Sequence, residues 1–150
     1  MTAGIGLFVY GTLMDADLRR LVCGVDDVAP PKPAYAAGWR TVYMTGEAFP
    51  TLLPAPYGEV EGLSLPAPSE YVWRRLVVYE GAPYVPGTIL VVVRGKEAER
   101  LTFVTRQNVP IRNWRLAVWQ RRHKRTLLAH TTRFFGSYGI RAIVQGRRNA

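Results

Sequence analysis

Phe8-Val9-Tyr10-Gly11-Thr12-Leu13 is the stretch whose reading decides the fold. Phe8 and Val9 are strand formers. Gly11 marks a tight loop in which a ligand can approach the main chain. Asp15 is placed to cap a helix that carries Leu18, Leu21 and Val22. A strand, a glycine turn and a helix start leave backbone N–H groups directed at one spot. That spot suits an anion such as a carboxylate. An ordinary strand-to-helix turn has the same residues, so the stretch offers a candidate site without deciding its use.

The composition around it sets bounds. The chain has 150 residues, 48% hydrophobic and 21% charged, which suits one globular domain with a sizeable core. No apolar run is as long as a membrane span, and Met1 to Gly6 carries no basic region of the kind that opens a signal peptide. Cys23 is the lone cysteine, which excludes an internal disulfide. The expectation is a cytoplasmic protein with no membrane partner, and a Cys23 that packs rather than reacts. Charge is uneven. Residues 1–99 hold 8 Lys/Arg and 11 Asp/Glu, whereas residues 100–150 hold 12 Lys/Arg and no acid. So one-sided a block attracts anions, nucleic acid among them, or forms a solvated helix face.

Taken in order, Gly24 to Pro33 reads as a proline spacer that cannot be a central strand. Tyr35 to Met44 reads as a strand with Gly38 as a bulge. Residues 46–54 read as a loop with apolar anchors. Tyr57-Gly58 forms a turn, and Val60 to Leu65 a further strand. Ser69 and Glu70 open a helix that carries Trp73, Leu76 and Val77 and stops at Gly81. Glu80 is thus expected at a helix C-terminus, where a carboxylate opposes the macrodipole. Thr88 to Val93 reads as a strand buried on both faces, and Leu101 to Thr105 as a shorter one. Asn113 is placed to cap a long helix from Trp114 to about Ala129. Phe134-Phe135-Gly136 closes the packing, and Arg147 to Ala150 frays. Strands outnumber helices and do not alternate strictly with them, so the class is α+β with a curved mixed sheet flanked by helices.

Several chemistries find no support. Gly4-Ile5-Gly6 precedes a strand and lacks the third glycine of a dinucleotide fingerprint. His123 and His130 have no Cys, Asp or Glu near them in sequence, and both read as surface residues rather than metal ligands. No Gly-x-Ser-x-Gly elbow exists. Phe49, Trp73, Trp114, Trp119, Phe134 and Phe135 read as core or cavity wall.

Two segments together resemble the gamma-glutamylcyclotransferase superfamily, also described as AIG2-like. Val9-Tyr10-Gly11-Thr12-Leu13 is similar to its Tyr-Gly-Ser/Thr-Leu loop, and Tyr79-Glu80-Gly81-Ala82-Pro83-Tyr84 to its Glu-Gly-x-x-Tyr segment. Between them Gly38-Trp39-Arg40, Phe49 to Pro54 and Val60-Glu61-Gly62 fit in order. Val77 and Pro86 depart from the pattern, standing where the family often has an Asp and a basic residue. The resemblance implies one domain over residues 1–150, a small barrel-like mixed sheet with helices around it, and no cofactor or metal. It also implies a reaction: the α-amine of a small gamma-glutamyl amide attacks its own γ-carbonyl, releasing 5-oxoproline and a free amine. Glu80 matches the acid/base residue. Tyr10, Gly11, Thr12, Leu13 and Tyr84 match the substrate-binding positions, the tyrosines as pocket shapers and hydrogen-bond donors. The alternative is a non-catalytic binding member of the same fold, with its basic C-terminal third docked on an acidic partner such as nucleic acid. Steep salt dependence of binding would mark that alternative.

Overall fold

Alternation along the first strand sets the architecture. In the computed structural model, which describes residues 4–24, 30–82, 84–105, 109 and 111–135, strand β1 (Leu7–Val9) is buried throughout. Leu7 and Val9 point to the helices and pack with Leu18, Val22, Leu76 and Trp119. Phe8 points the other way, as the period of two requires. With Tyr10 it joins Ala36, Leu52, Val60, Ile89 and Val91 in a second cluster that fills the barrel. Gly62 makes room for it, since a Cβ there would lie 2.7 Å from the Phe8 ring.

The other strands are β2 (Lys32–Tyr43), β3 (Pro50–Leu65), β4 (Tyr84–Val93) and β5 (Lys96–Thr105). They close in the order β1-β3-β2-β4-β5. All neighbours are antiparallel except β1 and β5, which pair in parallel at Leu7 and Leu101. Among the described residues four helices pack outside: α1 (Ala16–Cys23), α2 (Glu70–Glu80), α3 (Leu116–Arg122) and α4 (Lys124–Phe134). This is the expected α+β class, a small mixed barrel flanked by helices.

The caps follow their local signals. Asp15 accepts a hydrogen bond from the Leu18 N–H at 3.0 Å, and Ser69 from the Val72 N–H at 3.2 Å. Gly24 and Gly81 end α1 and α2 at φ 71° and 75°, backbone that favours glycine. Gly38 sits at the register shift of β2. Cys23 is buried, and burial raises its thiol pKa, so it is a poor nucleophile.

Other expectations are corrected. Pro33 belongs to β2, which is central in the barrel. The β4 ladder begins only at Ala34, so Pro33 is paired on one side, where proline is tolerated. Residues 50–54 are strand, paired with Tyr43 to Trp39, and β3 runs through Tyr57-Gly58 without a chain reversal. β4 is not buried on both faces. It alternates, with Ile89 and Val91 inside and Leu90 57% exposed, because a closed barrel buries only one face unless a helix covers the other.

The long C-terminal helix is two helices. Asn113 is no cap. The backbone beside it is extended and bridges β2, with the Tyr43 N–H on the Arg112 carbonyl and the Trp114 N–H on the Thr41 carbonyl, while the Asn113 side chain accepts from Arg40. α3 starts after Arg115 and breaks at His123. At about 100° per residue, one straight helix would face Trp119 and Phe135 in roughly opposite directions. The break lets both enter one core. Gly136 and Arg147 to Ala150 lie outside the described residues.

Candidate active site

Three of the sequence stretches singled out above meet at one end of the barrel. The loop after β1 forms a 3-10 turn at Thr12–Met14, whose own N–H bonds begin only with Met14 on the Gly11 carbonyl. The N–H groups of Gly11, Thr12 and Leu13 are the donors that the opening of any helical turn leaves over. Gly11 has φ −115°, so left-handed backbone is not its reason for being glycine. Pro50 is the reason: a Cβ on Gly11 would lie 2.7 Å from the Pro50 ring.

Pro50 ties the second stretch in. Its carbonyl accepts from the Tyr84 hydroxyl at 2.7 Å. The next residue, Thr51, is fully buried, and its hydroxyl accepts from the Thr105 N–H. The third stretch is the C-terminus of α2. Tyr79 shares a 2.7 Å hydrogen bond with the Thr12 hydroxyl, latching the loop to the helix. Glu80, the last residue of α2, then faces inward beside Tyr84 and Tyr10.

Two chambers with shared walls lie at this end. The smaller, about 40 Å³, is lined by Tyr10 to Leu13, Pro50, Glu80 and Tyr84. The larger, about 250 Å³, is lined by Thr12, Tyr79, Glu80 and Tyr84 on one side. Its other walls are Phe49, Val78 and, from α4 and the residue after it, Leu127, His130, Thr131, Phe134 and Phe135. Thr12, Glu80 and Tyr84 belong to both chambers and stand at their junction.

Glu80 is the electrostatic centre. Among the described residues no ion pair or hydrogen bond holds its carboxylate, and burial alone pushes its pKa from 4.5 up to about 8. Burial, then the nearby Glu80 carboxylate, raises the tyrosines: Tyr10 well above its ordinary value, Tyr84 likewise. Tyr79 is raised by burial, against the pull of its bond to Thr12. A carboxyl group between two chambers with a pKa near neutral can take a proton on one side and return it on the other.

All six residues expected at the site therefore come together. The role expected for two of them changes. The Tyr10 hydroxyl donates to the Phe103 carbonyl at 2.5 Å and that of Tyr84 to the Pro50 carbonyl, so both protons are spent on the barrel. Each keeps an oxygen lone pair that can accept, and both residues line the smaller chamber. Sequence reading missed Tyr79 as part of the loop, although it adjoins Glu80. It also missed His130 and Thr131 in the wall, for which no motif gave a signal. His130 is an exposed residue as expected, and it also lines the larger chamber. The aromatic residues Phe49, Trp114, Trp119, Phe134 and Phe135 are core or wall, and Trp73 stacks on Phe103. Among the described residues no three His, Cys, Asp or Glu side chains cluster to hold a metal.

The fold is a small mixed barrel flanked by helices, and comparison with known proteins places the chain in a family. The family model described as gamma-glutamyl cyclotransferase, AIG2-like, matches residues 7–124. The chain belongs to this family. A solution structure of an Arabidopsis thaliana protein is similar at 21% identity, covering 88% of this chain and 91% of that one, with TM-score 0.62. A structure named gamma-glutamyl cyclotransferase shares 18% identity over 71% of this chain and 69% of that one, TM-score 0.61. A mouse AIG2-like protein shares 19% over 75% and 86%, TM-score 0.56. At these identities the likeness is one of fold. No curated protein matches the chain. No helix among the described residues is long and apolar enough to cross a membrane.

Proposed function

We propose that the chain is a cyclotransferase that closes a gamma-glutamyl amide to 5-oxoproline and releases the free amine, with Glu80 as the acid/base residue. The observation that carries this reading is the Glu80 carboxyl at the junction of two chambers, unpaired and raised to about 8. The nucleophile resides in the substrate, so the buried, inert Cys23 is no obstacle. The glutamyl head sits at the junction, with its carboxylate directed into the smaller chamber toward the N–H groups of Gly11, Thr12 and Leu13. The leaving amine extends into the larger one. Holding the chain folded brings the α-amine onto the γ-carbonyl and supplies much of the acceleration. Glu80 takes the proton from the attacking amine and gives it to the departing nitrogen. The Tyr10 and Tyr84 oxygens accept from the ammonium or amine and orient it. The loop N–H groups steady the substrate carboxylate or the developing oxyanion. The substrate is a small molecule and the chemistry needs no cofactor.

The test is direct. The protein incubated with gamma-glutamyl methylamide, hexylamide and alanine is expected to release 5-oxoproline, detected by mass spectrometry, from at least one of them. Absence of 5-oxoproline from all three contradicts the reading.

A further inference from the structure

The larger chamber has a wall that the family match does not reach. The match ends at residue 124, where α4 begins. From α4 and the residue after it come Leu127, His130, Thr131, Phe134 and Phe135, which face Phe49 and Val78 across the chamber. The wall is thus a feature of this chain's C-terminal third. Its chemistry is one-sided. Among the described residues no Lys or Arg lines the chamber, and the only acid in it is Glu80 at the junction. Glu47 acts on Tyr84 from outside the lining. Resting on the cyclotransferase reading, we propose that α4 makes this chamber a specificity pocket for a leaving amine with an uncharged, apolar body, an alkyl chain or an aromatic ring.

The physical reasons are two. An apolar body gains by leaving water for walls built from Phe49, Val78, Leu127, Phe134 and Phe135. A distal ammonium or carboxylate would give up part of its water to these apolar walls, and apart from Glu80 at the junction and the exposed His130 no charged side chain of the described lining stands ready to pair with it. The volume, about 250 Å³, lies just under the roughly 300–1,000 Å³ of drug-sized ligand sites, so a small body suffices. His130 is the one basic side chain in the wall, and it is exposed, so a new charge placed there is tolerated by the fold.

The experiment compares near-isosteric substrates by 5-oxoproline release. Gamma-glutamyl hexylamide and gamma-glutamyl 5-aminopentylamide differ only in a terminal methyl against an ammonium. Hexylamide is expected to be turned over with kcat/KM at least about tenfold higher than 5-aminopentylamide, and higher than methylamide as well. In His130→Glu, which supplies a partner for the ammonium, the ratio of hexylamide to 5-aminopentylamide should fall about tenfold or more. A ratio is read within one protein, so a general loss of activity in the variant does not move it. Equal or better turnover of the 5-aminopentylamide by the parent protein overturns the proposal and leaves the cyclotransferase reading standing. An unchanged ratio in His130→Glu overturns the role given to α4. No 5-oxoproline from any of the amides overturns both.

Discussion

Glu80 carries a cost as well as a use. Its folded pKa, about 8, lies above its ordinary 4.5. Between those values the folded protein binds more protons than the unfolded chain, so this group makes stability fall as pH rises through the window. Glu80→Gln keeps the shape and removes the charge. It is expected to leave the melting temperature nearly unchanged at pH 4.5 and to raise it above pH 8. The gain should be about 2 kcal/mol, since each tenfold change in proton affinity is worth roughly 1.4 kcal/mol and solvent in the chamber screens part of it. A thermal melt at both pH values checks this. A residue that stabilises when removed marks a place where function and stability pull apart. The sequence hints at this through an acid at the wrong end of a helix dipole. It cannot show the burial, because the walls around Glu80 include Tyr10 to Leu13, Pro50 and residues of α4, all distant in the chain.

At the scale of elements, the site depends on a latch between the glycine loop and α2. Thr12 is buried, and its hydroxyl has Tyr79 as partner. Tyr79→Phe removes the hydrogen bond and leaves the Thr12 hydroxyl without that partner, which is expected to cost about 1–2 kcal/mol, read from urea denaturation. Elements with local signals were legible in the sequence. Asp15, Ser69 and Gly81 each act within a few residues of themselves, and each cap formed as the residue types require. Elements fixed by distant partners were not. Pro50 to Pro54 carries prolines that read as a loop, yet pairing with β2 draws it into a strand. Asn113 has the chemistry of a cap, yet the backbone around it is held extended by β2 before α3 begins. The helix break at His123 comes from the need to bury both Trp119 and Phe135, which no local pattern encodes.

At the scale of the molecule, the helices are joined to one another around Arg75. It is buried, and its guanidinium donates to the Val22 carbonyl at 2.6 Å and the Leu21 carbonyl at 3.0 Å, the last turn of α1. It also stacks 4.3 Å over the Phe135 ring, just past α4. One side chain thus links α1, α2 and the end of α4, which walls the larger chamber. Arg75→Met keeps the bulk but strips the donors, and it is expected to cost about 3 kcal/mol or more, measured by urea denaturation. The basic C-terminal third, conspicuous in the sequence, is partly engaged in such internal contacts. Lys124 bridges Asp15 and Asp17 at 2.8 Å each, Arg112 lies over the Tyr43 ring, and Arg100 donates to Ser64. Charge counted along a chain does not reveal which cations fold back onto it. The motif order did bring the expected residues to one end of the barrel, because the stretches that meet there are tied by steric and hydrogen-bonding reasons: Gly11 to Pro50 and Pro50 to Tyr84, with Glu80 lining the same chamber.

The central claim is that Glu80 moves that proton. The measurement that tests it most directly is kcat/KM for gamma-glutamyl hexylamide across pH 6 to 10, in the parent protein and in Glu80→Gln. The account predicts a rate that rises with a midpoint near 8 in the parent, and a loss of about 10²–10⁴-fold in the variant with that limb gone. A Glu80→Gln protein that turns over substrate as well as the parent, with the same pH profile, would contradict it.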